Sequence, residues 1–252
     1  MKEVRRYLED RLGKYSFYFE DLKSGFIYGY QEHEQMTSAG CMKLPVAMAV
    51  IKDVEEGKLS LEDKVLLEKA DRVGGSGILK KLDSREYTIN ELIILMLIES
   101  DNTATQKLVN CIGFDELKAK FKEMGLLGTQ MNDMPGSPIN LTTSYDLSLC
   151  WKILKDEKYL TRDHSRYVIE LLKEENKKKK TAFYLDETLK TKIASKAGDM
   201  PGVENDTTLI ELQKGDFIFT ILSDELPNSV YGIVSLAKSG KMIWDGITYN
   251  WE

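Results

Sequence analysis

The sequence predicts an α+β protein: an antiparallel sheet drawn from both chain ends, flanked by helices, with an all-helical lobe inserted between its halves. Three observations carry that expectation. Two runs near the N-terminus, residues 15–21 and 26–30, are rich in aromatic residues and separated by a turn. Three more strand-like runs, residues 193–196, 207–212 and 216–222, come late in the chain. Between the two groups lie segments with helical apolar spacing. The expected organisation is one unit over residues 1–252. An α/β lobe covers about residues 1–57 and 188–252, and a helical lobe about residues 58–187.

Residues 2–13 place Val4, Tyr7, Leu8 and Leu12 on one side of a short amphipathic helix. The hairpin of residues 15–30 follows. Residues 36–56 read as a buried helix, with Thr37 and Ser38 as candidate N-caps and Gly57 as its end. Pro45 falls near the start, where its missing N–H is tolerable. Residues 59–77 are mixed and loop-rich. In residues 88–99, Thr88 and Glu91 are spaced as a capping box, and the nearly continuous apolar run predicts burial on most sides. Ser100-Asp101-Asn102 breaks that helix, and residues 102–110 start another. Residues 114–124 form an amphipathic helix closed by Gly125, and residues 131–141 form a Pro/Gly loop. Residues 142–154 and 165–173 read as helices, and the strands at 207–212 and 216–222 have hairpin spacing. Residues 229–238 form a last helix, which the remaining residues either extend or fold back on.

The 252 residues, 42% hydrophobic and 30% charged, suffice for a substantial core. A formal charge of −6 argues against nucleic acid as a partner. The run of lysines at 177–180, flanked by Glu174, Glu175, Asp186 and Glu187, reads as a solvated face. Cys41, Cys111 and Cys150 form no disulfide framework and have no metal-ligand spacing, and His33 and His164 stand far apart. No metal and no cofactor are expected. Free thiols fit a reducing compartment. The N-terminal stretch lacks the apolar core of a signal peptide, and no apolar run is long enough to cross a membrane. The sequence as written therefore predicts a cytoplasmic protein, or an exported one whose leader has been removed. A monomer with a small-molecule ligand is expected.

Candidate chemistry lies in three stretches. The first is Met36 to Val50, MTSAGCMKLPVAMAV, where one charge, Lys43, interrupts an apolar run. A lysine there must snorkel out or find polar partners. The second is Ser100-Asp101-Asn102, which alone would be an ordinary helix cap. The third is Lys196-Ala197-Gly198, which alone means little. Order, spacing and the flanks LMLIESDNTAT and GVENDTT make the set specific. Gly74-Gly75-Ser76-Gly77 lacks the lysine-serine ending of a phosphate loop.

With these motifs the chain resembles class A β-lactamases and the related serine hydrolases of the penicillin-binding-protein type. The G-S-G-I-L stretch at 75–79 adds to the likeness. The resemblance implies the β-lactamase/transpeptidase-like fold from about residue 14 onward, and acyl transfer on a β-lactam or peptide-like amide. It makes Lys43 the base or proton shuttle, Ser100 the proton donor to the leaving nitrogen and Asn102 the holder of the substrate amide. Lys196 would supply positive charge near Ser100 and the substrate carboxylate. The backbone N–H groups of residue 40 and Asp199 would be oxyanion donors.

Three side chains depart from the family's pattern. Gly40 stands at the nucleophile position of S-x-x-K. Loss of the nucleophile costs on the order of a millionfold in turnover in a serine protease. Gly136 falls at the glutamate of the deacylation loop, where Ile139-Asn140 matches the last two positions. Ala197 replaces a threonine whose lost hydrogen bond costs roughly 1 kcal/mol. Gly198 and Asp199 complete that element, and Asp199 is a candidate to disfavour anionic ligands. Cys41 and Ser100 are the alternative nucleophiles. The expectation is a family member with little or no hydrolysis; the alternative is a catalytically silent ligand-binding or scaffold protein. One introduced change would account for Gly40 but not for Gly136 and Ala197. If only the nucleophile is missing, Gly40→Ser restores acylation.

Overall fold

The computed structural model describes residues 1–132, 140–176 and 180–250. Helix α1 (Lys2–Glu9) precedes a hairpin of β1 (Lys14–Asp21) and β2 (Phe26–Tyr30), and then a short strand β3 (Met36–Thr37). A 3-10 turn (Ala39–Met42) leads into α2 (Lys43–Glu55). The middle of the chain holds β4 (Lys64–Leu66), β5 (Glu86–Thr88), α3 (Ile89–Ile98), α4 (Asn102–Ile112) and α5 (Phe114–Glu123). Next come β6 (Leu141–Thr142), α6 (Ser144–Asp156), α7 (Arg162–Lys173) and α8 (Glu187–Lys190). Strands β7 (Ile193–Met200), β8 (Val203–Leu212) and β9 (Gly215–Asp224) and helix α9 (Ser229–Asn250) end the described chain.

The main sheet has the order β2-β1-β9-β8-β7, every neighbouring pair antiparallel. The N-terminal hairpin thus joins the C-terminal strands through β1 and β9, as the split of strand-like runs predicts. Both sheet faces are covered, which is why β1, β8 and β9 are buried along most of their length. On one face Phe17, Phe19, Phe217, Phe219 and Ile221 meet Val4 and Leu8 of α1 and Leu236, Ile243 and Ile247 of α9. The other face meets α6 through hydroxyls. Ser16 Oγ lies 2.6 Å from Ser144 Oγ, and Ser148 Oγ donates to Thr220 Oγ1 at 2.8 Å. Trp151 Nε1 donates to Thr207 Oγ1 at 2.8 Å, and the Thr207 and Thr220 hydroxyls are 2.7 Å apart. These bonds satisfy polar groups that burial would otherwise penalise.

Helix α2 runs through the centre of the helical region and packs against α3, α4 and α5. Its stretch from Leu44 to Ile51 is entirely buried. Each large apolar side chain there contributes about 1.5–3 kcal/mol over leaving it exposed. The Thr88 capping box forms: Glu91 N donates to Thr88 Oγ1 at 3.1 Å, and Thr88 N donates to Glu91 Oε2 at 2.8 Å.

Several boundaries differ from the sequence reading. The first helix stops at Glu9, and Leu12 is exposed. The helix expected over 36–56 is three elements, because Met36 and Thr37 pair with Thr142 and Leu141 and so cannot be helical. No side-chain cap bond forms at Ser38. Thr143 caps α6, which starts at Ser144. Strand β7 runs on through Lys196, Ala197, Gly198 and Asp199, and α9 continues to Asn250. Lysines 177–179 lie outside the described residues. The solvated reading of that run fails at Lys180, which is buried, pairs with Glu204 and donates to Gly198 O at 2.7 Å.

Candidate active site

Two of the sequence motifs meet at the N-terminal end of α2. Lys43 is the first residue of that helix and is buried. Facing it is the break between α3 and α4, where Ser100 takes the left-handed conformation with φ 53°. Asp101 then caps α4, accepting from Ala104 N at 2.9 Å and, with its other oxygen, from Leu79 N at 2.8 Å. That pair of bonds holds the break in place. Lys43 Nζ donates to Ser100 O at 2.9 Å, Ser100 Oγ at 3.0 Å and Asn102 Oδ1 at 2.8 Å. Three ammonium protons thus meet three acceptors, so snorkelling is not how this lysine is accommodated. Asn102 Nδ2 donates to Gly74 O at 2.9 Å, which ties the glycine-rich stretch to the same corner.

A cleft of about 790 Å³ opens over this corner. Gly40, Lys43, Ser100, Asn102, Asn140 and Asp199 all line it. Gly136 lies outside the described residues. Asn140 Oδ1 accepts from Asn132 N at 3.0 Å, and Asn140 O accepts from Ser38 N at 2.8 Å.

Strand β7 closes the other side, and here the structure departs from expectation. Its backbone lies against the 3-10 turn. A Cβ on Gly40 would sit 2.8 Å from Ala197 O and 3.1 Å from Ser100 Oγ. A Cβ on Gly198 would sit 2.7 Å from Gly40 N and 2.9 Å from Cys41 N. Both glycines are required by this approach of two backbones. The preceding residue, Ala39, has φ 45°. Asn205 on β8 fastens the turn: its Nδ2 donates to Thr37 O at 2.7 Å and to Ser38 O at 3.3 Å.

Lys196 does not reach the cleft wall. It is fully buried, its ammonium paired with Glu175 and donating to Ala197 O at 3.2 Å. Glu175 Oε1 also accepts from Ala197 N at 3.3 Å. Burial pushes the Glu175 carboxyl up, and the Lys196 charge pulls only part of the way back. The expected positive charge beside Ser100 is therefore met inside the protein. Ala197 and Gly198 are likewise behind the wall, and Asp199 is on it. Glu175 was missed because it stands in a charge-rich stretch with no pattern to mark it as buried. Asn205 lies within the flank GVENDTT, where nothing in the local sequence marks it as the fastener of a turn more than 160 residues away.

Cys41 is fully buried, and its Sγ donates to Lys196 O at 3.1 Å. Burial pushes its thiol up to about 12, against the pull of Lys196. A thiol held in that form is a poor nucleophile. Asp53, Glu56 and Glu116 form the one acidic trio with metal-like spacing among the described residues. Lys58 and Lys120 already pair with all three.

Comparison with known proteins agrees with the architecture. The beta-lactamase from Sphaerobacter thermophilus superposes with a TM-score of 0.90 at 22% identity, over 97% of both chains. PBP-A gives 0.86 at 21% identity, over 98% of this chain and 94% of that one. In sequence, a beta-lactamase of Rhodobacter capsulatus is 25% identical over 122 residues, 48% of this chain and 42% of its own length. The D-alanyl-D-alanine carboxypeptidase DacF of Bacillus subtilis is 25% identical over 150 residues, 56% of this chain. The chain spans 38% of DacF's length. The profile of the beta-lactamase enzyme family matches residues 1–247. The fold is β-lactamase/transpeptidase-like, and the chain belongs to the beta-lactamase enzyme family.

Proposed function

We propose that this protein has lost acyl-transfer chemistry and binds a small amide ligand, β-lactam or peptide-like, in the retained cleft. The observation that carries the reading is the contact at position 40. A side chain there has no room, since Ala197 O lies 2.8 Å from where its Cβ would be. Acylation needs a nucleophile projecting into this space. Lys43 fits the same reading, because its side chain is held against Ser100 and Asn102 on the ligand side of the cleft. Lys43, Ser100 and Asn102 then hold a ligand amide, and Asn140 and Asp199 border it. The names of the relatives, a beta-lactamase and a D-alanyl-D-alanine carboxypeptidase, suggest the ligand class. In this reading the chain acts as one unit, with lobes divided near residues 57 and 188.

Intact-mass measurement with excess benzylpenicillin and a cephalosporin tests it. The expected result is an unchanged mass. A stable adduct mapped to Ser100, whose Oγ is 3.0 Å from Lys43 Nζ, would establish a relocated nucleophile and overturn the proposal.

A further inference from the structure

The cleft wall is poor in available positive charge. Lys43 and Asp199 are its only charged residues among the described ones, and Lys43 spends three donors on Ser100 and Asn102. Two other lysines, Lys196 on β7 and Lys180 beside it, stand near the cleft without lining it. Lys196 is paired with Glu175, and Lys180 with Glu204. All four of these side chains are buried, so each cation is neutralised where water cannot screen it. The rest of the wall mixes side-chain amides, Asn102, Gln106 and Asn140, with the apolar Phe114 and Met131. Amides donate and accept in equal measure, which suits neutral peptide groups. A free carboxylate entering this cleft loses hydration and meets no unpaired partner among these residues.

We propose that the cleft selects ligands without a free carboxylate, taking an amide-terminated or internal peptide segment, and that Glu175 sets this preference by holding Lys196 out of the cleft lining. Glu175 touches no ligand; it acts through Lys196 and is a positioning residue. The inference rests on the ligand-binding reading above and narrows its ligand to the peptide-like class, because penicillins and cephalosporins carry a free carboxylate.

The test compares two probes by titration calorimetry, with NMR shifts for weak binding: diacetyl-Lys-D-Ala-D-Ala with a free C-terminus, and the same peptide as its C-terminal carboxamide. On the unaltered protein the carboxamide is expected to bind at least tenfold more tightly. In Glu175→Gln the Lys196 charge is uncompensated, and the preference is expected to shrink at least fivefold through tighter binding of the acid. Lys196→Gln is expected to leave the preference of the unaltered protein within about twofold. Equal or tighter binding of the acid by the unaltered protein overturns the inference while leaving the cleft a ligand site. A large loss of acid binding in Lys196→Gln overturns it too, because Lys196 would then reach the ligand. No binding of either probe at 10 mM removes the ligand-binding reading, and the inference with it. If Glu175→Gln does not fold, the probe ratio on the unaltered protein and on Lys196→Gln still decides.

Discussion

The two sides of the cleft have fared differently. On the α2 and α4 side, Lys43, Ser100 and Asn102 form a closed set of hydrogen bonds around an open space. On the β7 side, two backbones touch through Gly40 and Gly198, and Lys196 is turned to an internal partner. One side lines the cleft with polar side chains; the other pairs its lysine inside the protein. If the proposed function holds, the difference teaches that positioning and bond-making are separable in this fold, with room left for the first and not for the second.

The largest expected effect falls on the closed side. Glu175→Ala strands the Lys196 ammonium in a site with no solvent access, and breaking a buried pair in this way costs about 3–5 kcal/mol. Denaturant unfolding measures it, and a loss under 1 kcal/mol would mean that Lys196 has another outlet. Next comes an acid limb governed by Glu211 on β8, away from the cleft. Burial alone would raise its pKa, but hydrogen bonds from Lys173 and Lys155 outweigh that and hold it at about 2. A depressed carboxylate stabilises the fold above its unfolded pKa, and the contribution is lost as pH falls through the folded value. About 2–3 kcal/mol should therefore disappear between pH ~4.5 and ~2. Glu211→Gln should flatten that part of the stability–pH curve.

Gly40→Ser probes both sides at once. Restoring the hydroxyl is not enough if β7 occupies its space. We expect a cost of about 1–3 kcal/mol from overpacking and no penicillin adduct by mass. Rapid acylation of Gly40→Ser would show that β7 yields easily and would erase the contrast. On the open side, Asp101→Ala removes the cap of α4 and the acceptor for Leu79 N. About 1–2 kcal/mol should be lost, and ligand binding should weaken as Ser100 and Asn102 loosen. Smallest is Trp151→Phe, which leaves Thr207 without its indole donor and costs about 1 kcal/mol.

The open side was legible because its signals are local. A capping box marks Thr88 and a break marks Ser100, while the order and spacing of the motifs, through the family resemblance, single out Ser100 and Asn102 without any knowledge of the sheet. The order of strands and helices made the split sheet legible as well. The closed side was not legible, because its causes are tertiary. Lys196 meets a glutamate 21 residues away in a stretch that reads as solvent-exposed. The pairing of β3 with β6, which splits the expected helix of residues 36–56, joins segments more than a hundred residues apart. The contact between Gly40 and Gly198 leaves no trace in either local sequence beyond the glycines themselves.

The hydroxyl seam between α6 and the sheet has an optical consequence. Trp151 is fully buried, and its indole N–H rests on Thr207, which stands opposite Lys196 in the β7–β8 register. The fluorophore therefore sits one strand from the closed side of the cleft. A ligand that pries β7 away from the turn at Gly40 is expected to shift the emission of Trp151, one of the chain's three tryptophans, and a Trp151→Phe control isolates that signal.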